Sequence, residues 1–305
     1  MGLFRRLQNF LSVFFVAVLV VSTFAQDESE SGKRLVLFCS TTQVADFARN
    51  VVGDQCEIIC VLGAGEDPHT YQPGADDLAN VGKADLCIEN GLHLEGKEWM
   101  KTLASNAGKP LVTCTTGLAP LKLDDGEKIV NDPHAWFDPT NAWIYTKSIR
   151  DAVSKLDPAN EAKYHARAEL YKMQLRTLDG WIKTQVNQIP EGRRCLVTHH
   201  DAFGYFCQRY NFKAASPLGW TTSEIAGLTP QKQQEVVNTI RELNVKAIFV
   251  ETTLNPKVIE GIADLAGVKI GGNLYSDAMG ASDTAGETYL GMMRENVLTI
   301  VSALK

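Results

Sequence analysis

The segment DPANEAKYHARAELYKMQLRTLDGWIKTQVNQIP, residues 157–190, decides the architecture of this chain. Asp157 is a suitable N-cap, Pro158 suits the first helical position, and Pro190 ends the pattern. Apolar residues between them recur at spacings of 4, 3, 4, 3 and 4, which places six side chains on one helix face: Tyr164, Ala168, Tyr171, Leu175, Leu178 and Ile182. The segment predicts a stiff connecting helix, residues 158–189, with a length of about 45 Å.

On both sides of this helix, short apolar runs alternate with polar stretches that permit helix formation. The runs typical of buried strands are 35–39, 58–62, 86–88 and 111–113 before the helix, and 195–198, 246–250 and 268–270 after it. Strands that alternate with helices indicate parallel sheets covered on both faces. We therefore expect an α/β fold in which two lobes with mostly parallel sheets, residues 34–157 and 190–305, are joined by the long helix.

Composition excludes two broad classes of protein. Among 305 residues, 45% are apolar, so the chain can bury enough surface to offset the entropy cost of folding. The 30 basic and 36 acidic residues give a net charge of −6. A nucleic-acid-binding protein needs a basic face that displaces counterions from phosphates, and no basic run follows the first few residues. We expect neither a disordered chain nor a nucleic-acid partner.

The first 25 residues have the pattern of a secretory signal peptide. Arg5 and Arg6 precede the apolar run 11–21, and small residues lead to a cleavage point after Ala25. The apolar run would span only about 16 Å as a helix, roughly half of a bilayer core. No cysteine lies at the exit point, so lipid attachment there is not indicated. We expect a soluble protein, periplasmic or otherwise exported.

The tripeptide Asp-Pro-His occurs twice in the predicted N-terminal lobe, ending at His69 and at His134. Each copy is followed by aromatic residues and another proline, and prolines restrict the backbone around them. A stiffly presented imidazole suits a metal ligand. One copy alone would favour a loop-capping role, whereas two copies in one lobe point to a site.

Candidate ligands in the C-terminal lobe also follow predicted strands. His199 and His200 come directly after the run 195–198, where ligands of open α/β sheets gather. One imidazole of this pair should face the site, and local sequence does not decide which. Asp277 follows a strand and a predicted Gly271-Gly272 turn, so it is either a ligand or a turn residue. Three imidazoles and one carboxylate suit Zn²⁺ first, with manganese or iron as weaker fits.

Five motifs in a fixed order carry a resemblance to a known family. They are D-P-H-T-Y-Q-P (67–73), D-P-H-A-W-F-D-P (132–139), T-H-H-D-A-F-G-Y-F (198–206), F-V-E (249–251) and Y-S-D-A-M-G (275–280). From about residue 34 to its end, the chain resembles the metal-receptor solute-binding proteins of bacterial zinc/manganese ABC importers, the cluster A-I family. The resemblance implies two α/β lobes on one backbone helix, with the ion in the cleft.

The resemblance also implies a ligand set and a function. Its ligands would be His69, His134, His200 and Asp277, with His200 chosen because the family ligand immediately precedes the D-A-F run. The protein would be a monomeric carrier, not an enzyme, that delivers a divalent ion to an ABC permease in the membrane. Histidine rather than glutamate at position 200 favours zinc, but the short, histidine-free stretch 121–130 leaves manganese as the second choice.

Glu251 has two alternative roles. Just past a predicted strand, it is either a structural residue or a second-shell carboxylate that accepts the other N–H of a ligand imidazole. The rival function is a zinc-dependent hydrolase with Glu251 as general base. Four protein ligands would saturate the ion, and no H-E-x-x-H motif occurs, so the carrier is favoured. Asp67 and Asp132 are expected to orient their loops, and His93 and His165 to lie outside the site.

Overall fold

The computed structural model describes residues 34–124, 128–216 and 229–305. The predicted signal peptide, residues 1–25, lies outside these ranges. In the part of the chain that the structure describes, no helix combines the length and the apolar character needed to cross a bilayer.

The N-terminal half contains a four-stranded parallel sheet with the strand order β2-β1-β3-β4. Its elements are β1 Leu35–Cys39, α1 Thr42–Val52, β2 Cys56–Cys60, α2 Ala75–Lys83, β3 Leu86–Glu89, α3 Trp99–Asn106 and β4 Leu111–Thr113. An antiparallel hairpin follows, β5 Lys122–Asp124 and β6 Ile129–Asn131. A 3-10 helix at Ala135–Phe137 then leads into α4, Pro139–Leu156, whose N-cap is Asp138.

The predicted connecting helix is present, although it is shorter than expected. Helix α5 spans Glu161–Val186, because Pro158–Asn160 forms a separate 3-10 turn before it. The Asp157 carboxylate accepts hydrogen bonds from Asn160 Nδ2 and from the Tyr164 hydroxyl, so it braces this junction. All six residues of the predicted apolar stripe are at most 2% exposed.

The C-terminal half contains two parallel strand pairs among its described residues, β7 with β8 and β9 with β10. Its elements are β7 Cys195–Val197, α6 Gly204–Tyr210, β8 Lys213–Ala215, α7 Pro230–Glu242, β9 Ala247–Glu251, α8 Lys257–Ala266, β10 Lys269–Leu274 and α9 Tyr289–Leu304. The expected α/β architecture with mostly parallel sheets is confirmed.

The expected turn at Gly271-Gly272 is wrong, because both glycines lie within β10. The register between β10 and β9 shifts between Ile270 and Gly272, and Gly272 has φ +134°. A Cβ on Gly271 would lie 2.6 Å from the Phe249 ring. Glycine therefore lets the strand bulge and pack against β9 without ending, which local turn signals alone do not reveal.

One apolar core contains side chains from both halves and from the connecting helix. The Phe47 ring on α1 illustrates this, since its centroid is 5.4 Å from Tyr145 on α4, 6.3 Å from Tyr171 on α5 and 4.9 Å from Tyr289 on α9. Close packing of this kind resists relative movement of the packed elements. Helix α5 is thus embedded in the core that positions the loops of both halves.

Candidate metal centre

Four side chains from four separate loops converge on one buried point. His69, His134, His200 and Asp277 each present a ligand atom, and these atoms all lie within 4.8 Å of one another. The Nε2 atoms of His69 and His134 are 3.3 Å apart, and His200 Nε2 is 3.2 Å from Asp277 Oδ2. Ligands in a tetrahedron around an ion with bonds of about 2.0–2.1 Å are separated by about 3.3 Å. The observed spacing therefore matches a ligand cage.

Each of the four residues lies on a loop that follows a strand. His200 follows β7 and Asp277 follows β10, so both are located where parallel strands end. His69 lies on the loop between β2 and α2, and His134 follows the hairpin strand β6. These four strands belong to four different sheets, so the apolar core shared by both halves, and not one sheet edge, brings the loops together.

The His69 loop is held by backbone contacts on two sides. Asp67 Oδ1 accepts the His69 backbone N–H at 2.9 Å, and Trp99 Nε1 donates to the Pro68 carbonyl oxygen at 3.0 Å. Gly96 has φ +50°, and a Cβ there would lie 2.3 Å from the His69 carbonyl oxygen. Only glycine permits both this conformation and this close approach. The segment before α3 therefore packs directly against the backbone of His69.

Asp132 fixes both the backbone and the ring of His134. Its Oδ1 accepts the His134 backbone N–H at 2.9 Å and lies 2.8 Å from His134 Nδ1. A carboxylate accepts the Nδ1 proton, which leaves the Nε2 lone pair directed at the other candidate ligands. Sequence reasoning assigned Asp132 only a loop-orienting role and missed its contact with the ring. The Asp-x-His spacing is the signal that would have indicated it.

The two adjacent histidines of the C-terminal half have different surroundings. His200 lies in the four-residue cluster, and its Nδ1 is 2.7 Å from Glu251 Oε2. Glu251 Oε1 also accepts the His200 backbone N–H at 3.0 Å. His199 Nδ1 accepts the backbone N–H of Glu251 at 3.1 Å, so its ring is bound to β9 instead. Glu251, the last residue of β9, therefore touches both members of the pair.

Among the described residues, no backbone N–H donates to the Asp277 carboxylate, as one would in a turn or cap. The side chain is fully buried, and the nearest imidazole nitrogen is His200 Nε2, 3.2 Å from Oδ2. Oδ1 lies 3.5 Å from His134 Nε2, and Oδ2 lies 3.7 Å from His69 Nε2. Both oxygens face the imidazoles, so the cluster offers three nitrogen donors and either one or two oxygen donors.

Burial and close charges shift the pKa values within the cluster in opposite directions. Burial lowers the pKa of His69 to about 3. Burial acts in the same direction on His200, but the Glu251 and Asp277 carboxylates outweigh it and raise the pKa of His200 well above its ordinary value. Burial opposes ionisation of Asp277, yet His200 and the other imidazoles hold its pKa below the usual range. The positive charge of a protonated His200 offsets part of the negative charge of the two buried carboxylates.

Comparison with known proteins identifies the family. Residues 37–303 match the family described as ZnuA, zinc-uptake complex component A, periplasmic. The chain belongs to this family. It is therefore a metal-binding solute-binding protein of the ABC-transporter type and not an enzyme. The hydrolase alternative with Glu251 as general base is set aside.

Relatives in sequence and structure carry the names of different metals. The manganese-binding lipoprotein MntA of Halalkalibacterium halodurans is 34% identical over 295 residues, 96% of each chain. The zinc-binding protein TroA of Treponema pallidum is 35% identical over 290 residues, 92% of each chain. The solved structure of TroA matches with a TM-score of 0.83 and 32% identity over 89% of this chain and 99% of TroA. A manganese-bound periplasmic metal-binding protein from Candidatus Liberibacter asiaticus matches with a TM-score of 0.79 and 30% identity over 89% and 100%.

In this ZnuA-family chain, the remaining histidines of the described residues lie outside the cluster. His93 is exposed on the segment that precedes α3, and it has φ +67°. His165 is 46% exposed on α5, with its Nε2 3.6 Å from Glu161 Oε1. Both positions agree with the expectation from sequence.

A cavity of about 790 Å³ opens next to one of the four candidate ligands. Its walls include His69, His93, Tyr71, Trp99 and Leu103. The His69 side chain is 2% exposed, whereas the side chains of the other three are fully buried. Solvent therefore approaches the cluster from the side of the His69 loop.

Proposed function

We propose that this protein captures one divalent transition-metal ion, zinc first and manganese second, and delivers it to an ABC-type permease in the membrane. The observation that carries the proposal is the buried set of three imidazole nitrogens and one carboxylate at ligand spacing. Its ligands would be His69, His134, His200 and Asp277. Glu251 would orient the His200 ring by accepting the Nδ1 proton.

The donor set supports zinc as the first choice. Three neutral imidazoles suit the borderline-soft Zn²⁺ better than the harder Mn²⁺, which prefers oxygen ligands. The two oxygens of Asp277 both face the site, so a fifth donor is within reach, and a fifth donor would help the site to accept manganese. Relatives named for manganese and for zinc are about equally similar in sequence to this chain, so their names do not favour either ion.

The proposed location and partner rest on residues and relatives together. The pattern of residues 1–25 indicates export, and the relatives are named as lipoproteins and as binding components of metal ABC transporters. All four proposed ligands come from one chain, so the site is complete in a monomer. We propose an N-terminal lobe of residues 34–157 and a C-terminal lobe of residues 190–305, each contributing two ligands.

Metal analysis and competition titration test this function. Protein purified without added metal is titrated with Zn²⁺ and with Mn²⁺ against a chromophoric chelator, and bound metal is counted by mass spectrometry. We expect one ion per chain and tighter binding of zinc. His134→Gln should abolish tight binding, while His165→Gln, which changes an exposed histidine on α5, should leave it intact. Equal losses in the two variants, or wild-type protein that takes up neither ion, would overturn the proposal.

A further inference from the structure

Helix α6 of the C-terminal half lies against the segment 132–138 of the N-terminal half, which carries His134. At the start of α6, the Tyr205 hydroxyl donates to the Asp132 carbonyl oxygen at 3.0 Å. Gly204 packs directly on the Asp132 carboxylate, since a Cβ on Gly204 would lie 2.6 Å from Oδ2. The residue that orients the His134 ring is therefore held by the opposite half of the molecule.

Contacts continue along the segment to its other end. The rings of Phe203 and Phe137 have centroids 4.2 Å apart, which joins the loop after His200 to the 3-10 helix after His134. At the far end of α6, Arg209 Nε lies 3.2 Å from Asp138 Oδ1. Asp138 is the N-cap of α4 and accepts the Thr140 backbone N–H at 2.7 Å. Segment 132–138 is thus fastened at its start, middle and end.

Arg209 also binds the connecting helix. Its Nε and Nη2 donate to the two oxygens of Asp179 on α5 at 2.8 and 2.9 Å, and the Tyr210 hydroxyl donates to Asp179 Oδ1 at 3.0 Å. The side chains of Arg209 and Asp179 are 24% and 13% exposed. A bidentate arginine–carboxylate contact that is largely shielded from solvent is directional as well as strong. Arg209 is therefore a junction between both halves and α5.

We propose that Arg209 is a positioning residue for the metal site, which joins Asp138 to Asp179 and thereby holds His134 at a fixed distance from His200. This inference rests on the proposed function. Only three residues separate His134 from Asp138, and a buried 3-10 helix fills the interval, so movement of Asp138 is transmitted to the imidazole. Without the guanidinium, Asp138 would lose its link to α5, whereas Asp179 would keep the Lys183 ammonium at 2.7 Å.

The test compares Arg209→Gln and Arg209→Lys with a matched control. Arg150→Gln is suitable, because Arg150 donates through Nε and Nη2 to Asp151 on the same helix and does not link the halves. Full-length mature protein is loaded with Co²⁺, whose visible absorption reports ligand geometry, and ion dissociation into excess chelator is timed. Thermal unfolding of the metal-free proteins measures stability separately.

Arg209→Gln should change the Co²⁺ spectrum and speed dissociation about tenfold, the size of effect typical of residues behind metal ligands. Arg209→Lys should restore part of both, because a single ammonium reaches only one carboxylate at a time. Arg150→Gln should match wild type.

Two outcomes would overturn the inference. If Arg209→Gln lowers thermal stability but keeps the wild-type spectrum and dissociation rate, the arginine is merely structural. If Arg209→Gln fails to fold, Asp138→Asn provides the same readouts at the other end of the contact, and unchanged values there contradict the proposal. Wild-type protein that binds no Co²⁺ or Zn²⁺ would instead show failure of the proposed function itself.

Discussion

Replacing Glu251 with glutamine isolates the contribution of one buried charge to metal binding. Glu251 Oε2 lies 2.7 Å from His200 Nδ1, and glutamine keeps an oxygen that can accept the His200 backbone N–H. A carboxylate on the far nitrogen makes an imidazole a stronger ligand, and losing such a partner weakens metal affinity by about tenfold to a hundredfold. In free energy this is about 1.4–2.7 kcal/mol.

The pH dependence of this loss follows from the pKa of His200. In wild type, two carboxylates raise that pKa well above its ordinary value despite burial. A metal ion must displace the His200 proton at any pH below that pKa, so apparent affinity falls by about tenfold for each unit of acidification. Glu251→Gln removes the larger of the two raising charges, so the pKa moves down and proton competition begins at a lower pH. The variant is therefore weaker at high pH, and its deficit shrinks as the pH falls.

Chelator-competition titrations from pH 5.5 to 8.5 check this prediction, with calorimetry in two buffers of different ionisation enthalpy to count released protons. Wild type should release about one proton from His200 near neutral pH, and the variant clearly less. Glu161→Gln is a matched control, since Glu161 faces the exposed His165 on α5. Plots of log affinity against pH that are parallel for wild type and Glu251→Gln, or equal proton release in the two proteins, would refute the reasoning.

Three further substitutions test other parts of the site. Asp277→Asn keeps the shape of the side chain but removes the charge between the imidazoles, so zinc affinity should fall by about a hundredfold or more in a competition titration; a loss under threefold would exclude Asp277 as a ligand. Gly204→Ala places a Cβ 2.6 Å from Asp132 Oδ2. This clash should lower the free energy of unfolding, measured by heat or urea, by about 1–3 kcal/mol and should also weaken zinc binding. An unchanged unfolding free energy together with unchanged zinc affinity would contradict the packing. Trp99→Phe removes the hydrogen bond to the Pro68 carbonyl, worth about 1 kcal/mol, so stopped-flow dissociation of zinc should be about fivefold faster; a rate equal to wild type would show that this bond does not hold the His69 loop.

The sequence predicted the fold through periodicity and the candidate cluster through repeated motifs. The apolar stripe predicted α5 correctly because every stripe residue is buried. A helix that buries one face carries apolar residues with a period of about 3.6 residues. The end of the helix was less predictable, since the 3-10 turn at Pro158–Asn160 depends on contacts of Asp157. Repetition of Asp-Pro-His singled out His69 and His134, and the structure brings both into one cluster. Their role as ligands stays a prediction.

The contacts that support the candidate ligands were harder to predict, because they depend on side-chain direction across the fold. His199 and His200 are neighbours after the same strand, but the His199 ring accepts a backbone N–H of β9, whereas the His200 ring faces Glu251 and Asp277. The ring contact between Asp132 and His134 needs a particular rotamer of both residues. Arg209 and Asp179 are 30 residues apart, and nothing in the local sequence of either one indicates the pair.

The same connecting helix that decides the architecture also bears on the precision of the metal site. The candidate ligands lie at coordination spacing. The loops that carry His134, His200 and Asp277 contribute Trp136, Phe203 and Met279 to the apolar core in which α5 contacts α1, α4 and α9. Rigid support behind the ligands reduces the entropy cost of binding an ion. Metal affinity should therefore depend on residues far from the ion, among them Asp179 on α5, which reaches the His134 segment through Arg209.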